Sequence, residues 1–298
     1  MRVTVVGAGV AGLSCARVLA DAGVDVRVRE RGRVVGGRLA SKRFDGRYAD
    51  LGAAYFTADD PGFAALAADW QRRGLARPWT DTLRTYRGTA GAEPATGPVR
   101  WAAPGGLRSL AEDLAGGLDV TLRDEVTTLP DADAVVLAMP GPQALRLADS
   151  AAARSQRWAP VLTAVLTYPR RAWDDFAGAF VNDHPVLATV CDDGDRRGDR
   201  APVLVAHSTA GFAHRHLADP VSAAGDLEEA VRGLLGLPPA TETRVHRWTY
   251  AQPEPGDGEF AVDGTVYLAG DAFGRPRVQT AWRSGRAAAH AILQSSER

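Results

Sequence analysis

"MRVTVVGAGVAGLSCARVLADAGVDVRVRE", residues 1–30, is the stretch on which the fold turns. Val3, Val5 and Val6 make a short β-branched run that stops at Gly7-Ala8-Gly9-Val10-Ala11-Gly12. Cys15, Val18, Leu19 and Ala22 then recur at helical spacing, and Gly23 closes the helix. Val24, Val26 and Val28 alternate with polar residues and predict a second strand ending at Glu30. The unit is a βαβ motif with GxGxxG at its first turn and an acid at the end of its second strand. Gly7 permits the tight turn, Gly9 lets a pyrophosphate approach the backbone, and Gly12 lets helix and strand pack closely. Free N–H groups at the helix start face the anion, with Ala11 in that first turn. Glu30 is placed to accept hydrogen bonds from an adenosine ribose. A glycine-rich turn with a surface acid is the plainer reading; the complete βαβ context favours a dinucleotide.

The rest of the composition narrows the class. A chain of 298 residues, 45% hydrophobic and 24% charged, has ample core for one large domain or two intimate ones. The formal charge of −1 and the lack of long Lys/Arg runs give no reason to expect nucleic acid or an anionic membrane. Two cysteines in unrelated contexts, Cys15 and Cys191, make neither a disulfide framework nor a metal cluster, so a reducing cytoplasm is expected. No apolar run approaches the roughly 18 residues that span a bilayer. Gly7, Gly9 and Gly12 interrupt the N-terminal apolar run, which argues against a cleaved leader. His214-Arg215-His216 lacks companion ligands at metal spacing and reads as surface. Asp192 to Arg200 reads as a solvated charged loop.

The residues after Glu30 bear on which dinucleotide is bound. Gly36-Gly37-Arg38 comes shortly after it, then Asp50-Leu51-Gly52-Ala53, where a nicotinamide-binding fold would continue into another βα unit. The succession GxGxxG, Glu, GGR resembles the flavin-containing amine oxidase superfamily. The resemblance implies non-covalent FAD, and it extends to the far end of the chain. There "LAGDAFGRPRVQTAWRSGRAAAHAIL", residues 268–293, ends a strand in Gly270-Asp271 and starts a small-residue helix. By resemblance Asp271 binds the ribityl or phosphate region, and the following helix points its positive N-terminus at the flavin. Arg31, Gly37, Arg38, Ala53, Gly270, Val278 and Ala281 are the further cofactor contacts implied, and Val126 matches the position whose backbone meets adenine. The implied architecture is a two-domain α/β flavoprotein of the p-hydroxybenzoate hydroxylase and amine oxidase type. A Rossmann-like FAD-binding domain takes residues 1–60, 100–157 and 253–298; an interleaved α+β substrate domain takes 61–99 and 158–252.

Within the superfamily, "DLGAAYFTADDPGF" (50–63), "WAAPGGLRSLAEDLA" (101–115) and "HRWTYAQP" (246–253) resemble the renalase family, with departures at Leu51, Ala54 and Gly106. The resemblance implies oxidation of 2- or 6-dihydro isomers of NAD(P)H to NAD(P)+, with O2 reduced to hydrogen peroxide. Such a substrate needs little acid–base help; the protein has to stack it and aim its C–H at the flavin N5. Amine oxidases of the superfamily place a lysine near N5, whereas this chain has one lysine, Lys42, just after the GGR segment. Tyr55, Phe56, Trp101, Trp248, Tyr250 and Trp282 are candidate flat walls of a substrate cavity, though aromatics at such spacings are more often core. His246 is a candidate partner for a carboxamide. An amine oxidase or desaturase-like enzyme on a small metabolite is the alternative, and a flavin-holding protein without turnover a further one. Monomer and homodimer both remain open.

Overall fold

A computed structural model describes residues 1–44 and 46–296. The first βαβ unit is present as read: strand Arg2–Val6, helix Val10–Asp21 and strand Asp25–Glu30. The two strands pair in parallel, with Val3 opposite Val26 and Val5 opposite Val28. They belong to a six-stranded sheet running Ala261–Asp263, Val266–Leu268, Ala134–Leu137, Arg2–Val6, Asp25–Glu30 and Asp119–Leu122. Every pairing is parallel except the outermost hairpin, Ala261–Asp263 with Val266–Leu268. Central strands covered on both faces have to be apolar throughout. Ala134–Leu137 is buried at every position, whereas the edge strand Asp119–Leu122 is largely exposed.

The second sheet has seven strands: Glu242–Pro253, Trp158–Thr167, Val203–Ser208, Leu187–Asp192, Gly178–Asn182, Arg77–Arg87 and Ala90–Ala102. Alternation along its strands sends side chains to two different neighbours. Leu162, Leu166 and Leu204 pack with Phe212, Leu227 and Val231 of the helices Ala210–Arg215 and Ala224–Leu235. Val165 and Val205, on the other face, pack with Ala49 and Leu51 of the segment that leaves the small hairpin Ser41–Phe44/Arg47–Asp50. The molecule is thus a two-domain α/β fold with the six-stranded sheet on one side and the seven-stranded sheet on the other. No described helix is long and apolar enough to cross a membrane.

One expectation fails. Asp192 to Arg200 is not a solvated loop. It contains a helical turn, Asp193–Arg197, in which Asp192, Asp193 and Arg196 have no exposed surface. A charge run is normally exposed because ions lose hydration when buried; here every carboxylate meets a guanidinium. Arg47 Nη1 lies 2.6 Å from Asp193, Arg196 also binds Asp193, and Arg171 binds Asp192. Removing one partner from such a buried cluster typically costs about 3–5 kcal/mol, because the other charge is left bare.

Candidate functional site

The glycines of the first turn divide by what surrounds them. Gly7 has φ +110°, and a Cβ there would lie 2.6 Å from the Ala138 carbonyl oxygen. A Cβ on Gly12 would lie 2.0 Å from the Gly7 oxygen, so helix and turn touch through backbone alone. Gly9 is different: its backbone is extended (φ −80°, ψ 179°) and a Cβ would meet nothing within 4 Å. No side chain caps the helix that starts at Val10, so its first N–H groups keep their donors for something else. Glu30 faces the same turn, with Oε2 accepting from the Ala8 N–H at 2.9 Å and Oε1 from the Gly32 N–H at 2.6 Å. An open cradle at Gly9, an uncapped helix start and a facing carboxylate fit a dinucleotide's pyrophosphate and ribose.

The GGR segment closes over this turn. The Gly36 N–H donates to the Ala8 carbonyl at 2.8 Å, and a Cβ on Gly37 would approach the Gly9 Cα at 3.4 Å. Beyond Glu30, Arg31 is exposed. Arg29 forks onto Asp124 at 2.6 Å, and the Asp124 N–H donates to the Glu30 carbonyl at 2.9 Å. These contacts hold the run containing half-buried Val126 beside the carboxylate end of the second strand.

Two motifs 233 residues apart meet directly. Arg38 Nη1 donates to Asp271 Oδ2 at 2.7 Å while Nη2 donates to Oδ1, a two-pronged pair with Asp271 only 7% exposed. The same guanidinium donates to the Ala251 carbonyl at 3.1 Å and stands 5.0 Å from the ring centre of Trp158. Ser284 Oγ accepts from the Gly270 N–H at 2.9 Å, tying the strand end to the helix Val278–Ser296. That helix crosses the first one so closely that a Cβ on Gly285 would lie 2.0 Å from the Ala11 oxygen. Its first turn, with half-buried Val278 and Ala281, is aimed by Gln279, whose Oε1 accepts from the Asp59 and Asp60 N–H groups at 2.8 and 3.0 Å.

Asp50 to Tyr55 is the segment shared by the two sheets. The Arg38 oxygen accepts from the Ala53 N–H at 2.9 Å, and a Cβ on Gly52 would fall 1.8 Å from that oxygen. From the seven-stranded sheet, Thr163 Oγ1 and Trp248 Nε1 donate to the Leu51 carbonyl at 2.7 and 2.9 Å. Arg196 Nη1 donates to the Ala54 carbonyl at 2.7 Å. Asp50 Oδ1 accepts from the Leu107 N–H at 3.0 Å and from Ser41 Oγ, while Oδ2 is buried with no hydrogen-bond partner among the described residues. Burial pushes the Asp50 carboxyl up, against the pull of Arg196. Burial also works against ionised Asp193, but Arg196, Arg47 and Arg197 outweigh it and hold that carboxyl below the usual range.

The sheet face under this segment is readable from strand register, because residues directly opposite one another share a face. His246 stands opposite Thr163, Thr163 opposite His207, His207 opposite Thr189, Thr189 opposite Phe180, and Phe180 opposite Thr85. His207 Nδ1 is 3.0 Å from Thr189 Oγ1. Burial and then Arg196 push the His207 imidazole down to about 4, although the Leu51 and Gly52 carbonyls favour its protonation, so it is neutral at pH 7.

The candidate walls separate into two groups. Tyr55 is half-buried beside Trp79 (6.3 Å between ring centres), and Trp248 and His246 meet edge to face at 4.6 Å at the start of the polar row. Burial lowers the His246 imidazole, and Lys42 and Arg247 lower it further. Tyr250 lies 6.5 Å from Trp158, next to the Arg38–Asp271 pair. Phe56 and Trp282 are instead interior, 2% and 9% exposed, packed with Phe63 and Trp70 in the core beside the first helix. Trp101 stacks on Phe56 at 6.0 Å and bridges to it through backbone, so it supports the wall from behind. The buried positions Arg196, Asp193, Thr163 and His207 had no local signal except the alternation of "VLVAHS", which puts His207 on the face of Val203 and Val205.

Comparison with known proteins agrees with this geometry. Residues 5–70 match the model of the NAD(P)-binding Rossmann-like domain, and residues 106–293 match that of the flavin containing amine oxidoreductase. Over 67 residues the chain is 46% identical to the 15-cis-phytoene desaturase of Synechococcus elongatus, which is 22% of this chain and 14% of that protein. It is 48% identical over 67 residues to the L-amino-acid oxidase of Siganus canaliculatus, 22% of this chain and 13% of that one. The curated relatives are thus matched over a small part of their own length. A structure of putrescine oxidase bound to putrescine has the same fold, with a TM-score of 0.77 at 17% identity over 98% of this chain and 99% of that one.

Proposed function

We propose, from the premise that the chain belongs to the flavin-containing amine oxidoreductase family, that it is an FAD-dependent oxidoreductase of the renalase type. Its substrates would be 2- or 6-dihydro isomers of NAD(P)H, oxidised to NAD(P)+ with O2 as the final acceptor. Bound FAD supplies the two-electron acceptor and its reoxidation by O2. The residues that would hold it are Gly7, Gly9 and Gly12 with the first helix start at the pyrophosphate, and Glu30 at the adenosine ribose. Arg38, Asp271 and the start of the last helix would hold its other half. The protein's own work is orientation and exclusion of water. The Leu51 and Ala54 carbonyls are pinned by Thr163, Trp248 and Arg196, which fixes the wall carrying Tyr55. Groups held in this way let a substrate stack without rearranging the site.

One observation carries the renalase-type reading: where the face under this wall presents Thr163, His207 and Thr189 it has no lysine, and Lys42 lies off its end beside His246. Lys42 is exposed and lines a cavity of about 290 Å³ with Phe44, Val221 and His246. His207 is neutral and bonded to Thr189, and Thr163 donates to Leu51, so this stretch supplies no strong base, which suits a substrate whose ring nitrogen already drives electrons outward. An amine oxidase or desaturase-like enzyme on a small metabolite is the second reading, since the edge-to-face pair Trp158 and Tyr250 suits other planar or apolar substrates equally well. Anaerobic mixing of the FAD-loaded protein with chemically prepared 2- and 6-dihydro-NAD(P) and with primary and secondary amines decides between them. Bleaching of the visible flavin band by the dihydronicotinamides alone is the expected result; bleaching by amines alone overturns it.

A further inference from the structure

Arg100, on the strand Ala90–Ala102, is a buried cation that the proposed chemistry does not use. It is 6% exposed. Its Nη1 donates to the Asp81 carbonyl at 2.7 Å, and its Nε is buried without a hydrogen-bond partner among the described residues. Among the described residues no carboxylate pairs with it, whereas buried Arg196 and Arg197 both face Asp193. Buried charges are ordinarily paired, because an ion removed from water without a counter-charge is strongly disfavoured. The Arg100 guanidinium instead stands 5.4 Å from the ring centre of Tyr55 and 5.8 Å from that of Phe180. Both rings are half-buried, and Phe180 is a member of the polar row under the Asp50–Tyr55 wall.

The side of this guanidinium that carries Nε and Nη2 presents two parallel N–H bonds, the pattern that matches two oxygens of one carboxylate or phosphate. With Nη1 committed to Asp81, that side is left without a protein acceptor among the described residues. We propose that Arg100 is the specificity-determining residue of the substrate site, binding a carboxylate or phosphate on a molecule whose planar part lies against Tyr55 and Phe180. The proposal rests on reading the Asp50–Tyr55 segment as the substrate wall, and it narrows the substrates to anions. Small carboxylates and phosphate-bearing nucleotides share the required chemistry.

The test titrates the FAD-loaded protein with benzoate, phenyl phosphate and neutral benzamide, following perturbation of the visible flavin band. At least one anion should bind about tenfold or more tighter than benzamide, as expected for charge-assisted hydrogen bonds. The tighter of the two anions identifies carboxylate or phosphate as the natural group. Arg100→Met should lower anion affinity by about tenfold and leave benzamide unchanged. Arg100→Lys, which keeps the charge but loses the fork, should lower anion affinity by roughly threefold or more with benzamide again unchanged, and it serves if the methionine variant does not fold. Anions that bind no tighter than benzamide, or not at all, overturn the proposal. So does an equal loss for all three ligands in Arg100→Met, or unchanged anion affinity in Arg100→Lys. Retained anion preference in a protein that dihydronicotinamides do not reduce would sink the proposed reaction and leave Arg100 in its role.

Discussion

Adding one methyl group at Gly9 tests the cofactor assignment most directly. The backbone there is extended, and the new Cβ meets no protein atom within 4 Å. Without ligand, Gly9→Ala should therefore be neutral or stabilising by about 0.4–1 kcal/mol, through the reduced freedom of the unfolded chain. A pyrophosphate seated on the helix start would be obstructed. A methyl group projects about 1.5 Å from Cα, which forces the anion back by roughly 1 Å. That lengthens one or two charge-assisted hydrogen bonds worth about 1.5–3 kcal/mol each, a loss near 3 kcal/mol and about 100-fold in affinity. The control is Gly12→Ala, whose Cβ would fall 2.0 Å from the Gly7 oxygen and must shift the turn even in the empty protein, costing about 1–3 kcal/mol. Urea unfolding of the apoprotein measures the first quantity, and quenching of FAD fluorescence on titration the second. If Gly9→Ala binds FAD as wild type does, no phosphate lies at that turn and the reasoning fails.

Other outcomes follow from the buried charges. Arg196→Met should destabilise the fold by about 3–5 kcal/mol in urea unfolding and by clearly less in an Asp193→Asn background; an equal loss in both backgrounds would contradict the pairing. His207 takes up a proton near 4 in the folded state against about 6.5 unfolded, so the unfolded chain gains the proton first as pH falls. The native state should lose roughly 3 kcal/mol between pH 7 and 4 from this group, and His207→Gln should remove that component of the pH dependence. An unchanged pH profile in His207→Gln would show that the imidazole is not held neutral. Burial pushes the Cys15 thiol up to about 12 and the Cys191 thiol up to about 11. Neither should react with a disulfide reagent at pH 8 until the protein unfolds, when both should; rapid labelling of either in the native state would contradict their burial.

The sequence carried the cofactor turn because its requirements are local. Glycine spacing, a β-branched run and a terminal acid describe backbone geometry within 30 residues. That Arg38 and Asp271 serve one site was legible only by resemblance, and their direct pairing was not legible at all, since nothing near either residue names its partner. Arg196 and Asp193 were misread for a related reason. A run of acids and arginines looks the same solvated or buried, and burial was decided by Arg47, Tyr48 and Ala54, about 140 residues earlier. Phe56 and Trp282 show the same limit for aromatics, because ring type reports a preference for apolar surroundings but not whether they are a core or a cavity.

The pairing of residue 38 with residue 271 also has a consequence in time. A ribosome adds Arg38 to the chain 233 residues before the carboxylate that completes the clasp. Nascent chains stalled before that point should therefore stay colourless however much flavin surrounds them. Loading then reports whether the segment carrying residue 271 has been made and has folded against Arg38.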